Sequence, residues 1–383
     1  MDYINAKEVV ALTSDLVKID SENPSIYEKE ISEFISQKLK EIGLKVSVHE
    51  FVPGRASVVG ELPGKKEFPT LMFNGHTDTV PIGDRSSWTV DPLGGRVVHE
   101  KIYGRGAADM KGGIAAMISA CRTLVNSGVK LSGNLMLTFV GDEEVKGMGI
   151  QDLLHRGYKA DYAVVGEPTS LQVQPAHRGV VNIKIVSRGK ACHASTPHKG
   201  HNAIYDMSKV CLGLKDLSLI YEEKKHPLLG VPTINVGTIH GGIKSNIVPD
   251  YCEIMVDRRL IPGEKIEEVV WEIERAISGK AIQGGNIKVE VDQVSEPSET
   301  PLDERVVVEA RKAVSNVTGK DNGISGFVAS SDMRFLVNYG KIPTVILGPG
   351  SLDQAHIIDE YIDIDQVVNA TKIYALLSVN MLK

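Results

Sequence analysis

Short, mainly apolar runs, each followed by a polar cluster, recur along this chain: TLMF at 70–73, NLMLTFV at 134–140, DYAVV at 161–165 and PTVIL at 343–347. Such runs lack the alternation of a strand with one wet side, so as strands they must be covered on both faces. Helical spacing separates them. Ile31, Phe34, Ile35, Leu39 and Ile42 recur every three or four residues, and Gly43 is a natural stop. GGIAAMISACRTLVNSG at 112–128 reads as a second helix, GIQDLLHRG as a short third, and 45–51 and 57–61 as further strands. Buried strands alternating with helices predict an α/β layer, a mostly parallel sheet with helices on both faces.

The middle of the chain follows another pattern. Strand VVNIKIV, helix NAIYDMSKVCLGL, strands TINVGTIH and YCEIMVDRR, helix EKIEEVVWEIERAIS and strand NIKVEV occur in that order. The order β-α-β-β-α-β is that of a ferredoxin-like α+β unit. In YCEIMVDRR, Cys252, Ile254 and Val256 alternate with Glu253, Met255 and Asp257, as on a strand with one solvated face. The expected organisation is a catalytic layer over 1–178 and 293–383, interrupted by an inserted domain at 179–292.

Composition narrows the function classes. With 383 residues the chain has room for two or three domains. A net charge of −6 supplies no basic field for nucleic acid or an anionic membrane, and no apolar run nears the length of a membrane span. The segment MDYINAKEVV lacks the layout of a signal peptide. Four scattered cysteines (Cys121, Cys192, Cys211 and Cys252) form no CxxC pair and read as reduced thiols of a cytoplasmic protein.

The polar residues that follow the strands carry the chemistry. His76 follows 70–74, Asp142, Glu143 and Glu144 follow 134–140, Glu167 follows 161–165, and His356 lies in the loop after 343–348. In an open parallel sheet all these carboxyl ends face one crevice. Asp109, in GRGAADMKGG, stands just before a helix. Singly, each has a plain structural reading: His76, Asp78 or Glu167 as a turn residue, Asp109 as a helix cap, His356 as a surface histidine. Together, five such coincidences point to ligands, because imidazoles and carboxylates crowded into one crevice need a cation between them. Two histidines and three carboxylates suit a borderline divalent metal such as zinc. Asp78, two residues from His76, is placed to fix its tautomer. No P-loop, HExxH or GxSxG motif is present, and GRGAAD lacks the third glycine of a dinucleotide fingerprint.

The stretches GHTDTVP, YGRGAADMKGG, GDEE, VGEPT, CHASTPHKGHNAI and GPGSLDQAHIIDEY resemble, in order, the landmarks of the zinc aminoacylase and carboxypeptidase family, which includes acetylornithine deacetylase and succinyl-diaminopimelate desuccinylase. The resemblance runs from about residue 5 to the C-terminus. It implies a homodimer formed through the inserted domain and two zinc ions, for which cobalt may substitute. Asp109 would bridge the ions, His76 and Glu167 completing one and Glu144 and His356 the other. Glu143 would be the general base that activates a bridging water, Asp78 would orient His76, and His193 would stabilise the oxyanion in the partner's site. Arg258, Asn246 and Ser330 would bind the substrate, with Arg259 an alternative to Arg258; strand alternation puts Arg258 on the face of Cys252, Ile254 and Val256, and Arg259 on the opposite one. The implied activity is removal of an acyl group from an N-acyl amino acid, closest to acetylornithine deacetylase and placing the chain in amino-acid biosynthesis. The alternatives are a desuccinylase or a metallo-carboxypeptidase or dipeptidase, and a catalytically silent homologue is the remaining class.

Overall fold

The computed structural model describes residues 4–25, 27–278 and 286–383. Two compact units emerge: residues 1–175, 299–327 and 331–383 form the first, and 176–298 with 328–330 the second. The expected insertion at 179–292 falls inside the second unit. Residues 1–3 of the segment MDYINAKEVV lie outside the described residues.

The first unit is built on a six-stranded sheet of β1 (Lys45–Val52), β2 (Arg55–Leu62), β3 (Thr70–His76), β4 (Asn134–Val140), β5 (Tyr162–Val165) and a late strand, Thr344–Ile346. Their spatial order is β1-β2-β4-β3-β5 and then the late strand. From β4 onward neighbours run parallel, whereas β2 is antiparallel to both β4 and β1. Every residue of β3 is buried, as its unbroken apolar run requires. Helices α1 (Ala6–Lys18), α2 (Lys29–Ile42), α3 (Gly112–Asn126) and the C-terminal Ile364–Leu382 share one core with these strands, where Phe73 of β3 lies 5.0 Å from the ring of Tyr374, and a short helix α4 (Met148–His155) follows β4. Ile31, Ile35, Leu39 and Ile42 form the buried stripe of α2. Gly43 ends that helix at φ 92, with open space around its missing Cβ, so conformation rather than room explains the glycine.

Register decides where the functional side chains emerge. Strand β3 pairs with β4 from Thr70↔Asn134 to His76↔Val140, and with β5 from Leu71↔Tyr162 to Asn74↔Val165. The carboxyl ends of three parallel strands are therefore level, and His76, the 141–144 turn and Glu167 leave one edge. The apolar run at 343–350 is strand only over Thr344–Ile346. It ends where Gly348 packs against the segment that follows β5, since a Cβ there would lie 2.3 Å from the Gly166 carbonyl oxygen. A separate three-stranded sheet joins Arg96–Val98, Lys101–Tyr103 and Tyr361–Asp363. Strands of three residues are too short for alternation to reveal them.

In the second unit β6 (Gly179–Arg188), α5 (Ala203–Ile220), β7 (Thr233–Gly241), β8 (Tyr251–Leu260), α6 (Ile266–Ser278) and β9 (Asn286–Ser295) follow the β-α-β-β-α-β order. The sheet is antiparallel throughout, in the order β7-β8-β6-β9. Alternation along β8 is strict: Cys252, Ile254, Val256, Arg258 and Leu260 are buried, and the residues between them are half-buried. The buried side packs against Met207, Val210 and Leu214 of α5 and Val269, Ile273 and Ile277 of α6. Strand β7 lies at the sheet edge and is largely exposed, including Ile239.

Candidate metal centre

Asp109 sits in a wide helical turn, Ala107–Lys111, that feeds into α3. Its own backbone (φ −124, ψ 95) is extended, and Lys111 rather than Asp109 occupies the N-cap of α3. Asp109 is therefore not a helix cap. Its two oxygens face different imidazoles: Oδ1 is 2.9 Å from His76 Nε2, and Oδ2 is 3.3 Å from His356 Nε2. Around the first imidazole lies Glu167, with Oε2 3.8 Å from His76 Nε2. Against the second lies Glu144, with Oε1 3.1 Å from His356 Nε2. Donor atoms of His76, Asp109 and Glu144 all fall within 4.8 Å of one another. His356 reaches this position from left-handed backbone, φ 61, which is uncommon for a residue with a Cβ.

Hydrogen-bond direction tests whether a cation fits. His76 Nδ1 lies 2.9 Å from the carbonyl oxygen of Asp78, which can only accept, so Nδ1 carries the proton. In the neutral ring Nε2 is then a lone pair aimed at a carboxylate. Two acceptors at 2.9 Å need a proton or a cation between them. The electrostatics agree. Burial alone would lower His76, yet Glu167 and Asp109 hold it well above the ordinary imidazole value. Hydrogen bonds to Asp109 and Glu144 push His356 up to about 10. Burial, with Asp109 adding to it, raises Glu167 to about 8. Burial also raises Glu143 and Glu144, while the two imidazoles outweigh burial and hold Asp109 low. The cluster gathers more negative charge than burial tolerates, and divalent cations relieve that without protonating the ligands.

Glu143 behaves differently from its neighbour. While Glu144 turns to His356, the Glu143 carboxylate lies 3.7 Å from Arg334 Nη1. The turn that presents this pair is fixed from behind. Asp78 is fully buried, and its Oδ1 accepts from the Glu143 N–H at 3.1 Å and its Oδ2 from the Glu144 N–H at 3.2 Å. The Asp78 carboxylate stands 3.7 Å from His76 Nδ1, so the orienting contact on the imidazole comes from its backbone carbonyl instead. That differs from the sequence-based expectation, and the reason is competition: two backbone donors claim the carboxylate.

Other supports were not legible as site residues. Buried Glu360 accepts from Arg105 Nη1 at 2.6 Å and from the N–H groups of Ala108 and Asp109 at 2.9 and 3.2 Å, and so fixes the Asp109 turn. Arg55 pairs with Glu28 and donates to Asp142 at 2.6 Å beneath the Glu143–Glu144 turn. A charged residue inside an otherwise apolar or glycine-rich stretch, such as Arg105, was the available signal, but its partner is 255 positions away.

The remaining expected residues lie in the second unit. His193 and Asn246 come together: the short pairing of Cys192–His193 with Ile247–Val248 is closed by a bond from Ala194 N–H to the Asn246 carbonyl, 3.0 Å. His193 Nδ1 accepts from the Ser195 N–H at 3.2 Å, which leaves the proton on Nε2. Ser330 shares a hydrogen bond with Ser295. Arg258 is fully buried; its guanidinium pairs with Glu264 at 2.5 Å and stacks 4.1 Å from the centre of the Tyr221 ring. Its expected place on the face of Ile254 and Val256 is what buries it, because that face meets the two helices. Arg259, on the other face, pairs with Asp257.

A mainly parallel α/β sheet with a carboxylate set between two imidazoles at its carboxyl edge defines a metal-dependent hydrolase. The chain belongs to Peptidase family M20/M25/M40, whose profile matches residues 72–380. It is 34% identical over 300 residues to an acetylornithine deacetylase of Pectobacterium atrosepticum, covering 76% of this chain and 75% of that one. Identity is 26% over 402 residues to a probable succinyl-diaminopimelate desuccinylase of Staphylococcus epidermidis, covering 98% of both. Among solved structures, aminopeptidase PepT from Bacillus cereus superposes with a TM-score of 0.83 at 24% identity, covering 99% of this chain and 100% of that one.

Proposed function

We propose that the chain removes an acyl group from an N-acyl amino acid, as acetylornithine deacetylase does. The observation that carries this is Asp109, with one oxygen toward each of two histidine–glutamate half-sites. His76, Glu167 and Asp109 would hold one divalent ion, and His356, Glu144 and Asp109 the other, with zinc the best match to this nitrogen and oxygen set and cobalt a substitute. When bound, such ions supply Lewis acidity that polarises a carbonyl and makes water more acidic.

The chain's own groups then divide the proton work. Glu143, free of the imidazoles, takes a proton from the attacking water and passes it to the leaving amine as the amide C–N bond breaks. The acyl group leaves as a carboxylate and the amino acid regains its amine. His193, with its proton on Nε2, is suited to donate to the oxyanion, and we assign that role to the partner subunit's site. Asn246 beside it, and Ser330, are assigned to the amino acid portion. Arg258 is not, because Glu264 and Tyr221 already occupy its guanidinium.

The homodimer is assigned to the second unit, where edge strand β7 exposes Ile239 and α5 exposes Tyr205, Leu212 and Leu219. Mixing Glu143→Ala with His193→Ala chains should then restore part of the activity through hybrid dimers. No recovery in verified hybrids would remove the shared-site role of His193. Cytoplasmic location belongs to the same reading: all four cysteines are free, and no helix among the described residues is long and apolar enough to cross a membrane.

The direct test is a panel of N-acetylornithine, N-succinyl-diaminopimelate, other N-acyl amino acids and short peptides, run with zinc or cobalt. Metal-dependent release of ornithine, with the other substrates at least about tenfold poorer in kcat/KM, is expected. Preference for the succinyl substrate or for peptides would replace the deacetylase reading with the desuccinylase or peptidase named by the other relatives.

A further inference from the structure

The N-terminal segment before α2 carries none of the stretches that mark the metal centre, yet it reaches the centre's base. Residues 21–23 lie along 77–79. Ser21 Oγ donates to the Thr77 carbonyl at 2.7 Å, Thr79 N–H to the Ser21 carbonyl at 3.0 Å, and Asn23 N–H to the Thr79 carbonyl at 2.9 Å. This register sets the side chain of Asn23, 2% exposed, against Asp78. Its Nδ2 donates to Asp78 Oδ2 at 2.9 Å and to Asp142 Oδ1 at 3.3 Å.

We propose that Asn23 is a positioning residue that sets the geometry of the Glu143–Glu144 pair by tying the Asp78 carboxylate to that of Asp142. The proposal rests on the hydrolase reading for its consequence, though not for its geometry. Asp78 holds the backbone N–H groups of both glutamates. Asp142, at φ 73, begins the turn: its carbonyl accepts from Lys146 N–H at 3.0 Å, and its Oδ2 accepts from Met148 N–H at 3.2 Å at the start of the helix Met148–His155. The two ends of the turn that aims one glutamate at His356 and leaves its neighbour apart are thus each held by a buried carboxylate.

Two buried carboxylates side by side repel unless donors stand between them. Arg55 serves Asp142. Among the described residues, Asp78 has no cation within bonding distance apart from the flanking imidazole, and only the amide of Asn23 reaches both carboxylates. A primary amide is the one neutral group with two hydrogens on a single nitrogen, one for each acceptor. The orientation of the amide follows, since its oxygen facing two carboxylates would be repelled. Asn23 Oδ1 is left buried without a hydrogen-bond partner among the described residues. A residue serving only a turn has no reason to carry that cost, whereas one that must present its NH2 to two carboxylates does.

The test uses the full chain with Asn23→Leu and Asn23→Ser. Zinc affinity is read by competition with a chromophoric chelator, alongside kcat, KM and the thermal midpoint in chelator. Partners behind metal ligands are typically worth 10–100-fold, so zinc affinity and kcat in Asn23→Leu should each fall by about that much. KM should stay within about threefold, because the loss is in the alignment of the reacting groups. Asn23→Ser, which keeps one donor, should fall between. Should Asn23→Leu not fold, the serine variant is read by the same criteria. Zinc affinity and kcat within about twofold of wild type would overturn the proposal, even with a lowered thermal midpoint, and would leave Asn23 a turn residue. The zinc competition needs no substrate, so a wild-type protein that binds zinc and hydrolyses nothing would sink the hydrolase reading without touching this one.

Discussion

Glu143→Gln is expected to lower kcat by about 10²–10⁴-fold while leaving metal content unchanged. The substitution keeps the shape of the side chain and its place on the turn, whose N–H is held by Asp78. It removes only the capacity to take a proton. Glu144 next door engages His356 at 3.1 Å, so the same change there should act chiefly through metal affinity. Steady-state kinetics with metal analysis on both variants separates the roles. A Glu143→Gln enzyme at wild-type kcat would remove Glu143 as the base.

Asp109→Ala should be the most damaging single change to the centre, with activity down by about 10³-fold or more, because several kcal/mol of Lewis-acid stabilisation would be lost at once. Each of its oxygens faces a separate half-site, so its loss uncouples both. Asp109→Asn retains one carbonyl oxygen and should be less severe. The acidity of the cluster adds a direction. His356 is raised to about 10 and Glu167 to about 8, so metal must displace protons from both. Affinity should therefore weaken as pH falls from 8 to 6, and binding should release protons. Isothermal titration in buffers of different ionisation enthalpy measures that release; affinity independent of pH would contradict the ligand assignment.

How much of this was legible in the sequence depended on whether the signal was local. Continuous apolar runs specified β3, β4 and β5, and since those strands are parallel and in register, the residues following them had to converge. That is why the apolar runs alone bring His76, Glu144 and Glu167 to one edge. His356 and Asp109 stand in irregular segments, so their case rests on the coincidence of five candidates, and only their division between two ions comes from the resemblance of whole motifs. The networks behind the site were not legible. Asn23 to Asp78, Arg55 to Asp142 and Arg105 to Glu360 are contacts between distant segments, created only when the sheet assembles. Arg258 shows the limit of alternation, which gave its face correctly but not what covers that face. Asp78 shows the limit of proximity in sequence: two residues from His76, its carboxylate bonds instead to a turn more than sixty residues away.

The central claim is a two-ion centre joined by Asp109 and served by Glu143. Its most direct test is to titrate zinc into chelator-stripped enzyme while recording bound metal and the rate of N-acetylornithine hydrolysis, with Glu143→Gln in parallel. The account predicts saturation at two zinc ions per chain, activity that rises with occupancy, and full binding with turnover lowered by about 10²–10⁴-fold in the variant. Binding that saturates with none of the five ligands required, or equal turnover in wild type and Glu143→Gln, would contradict it.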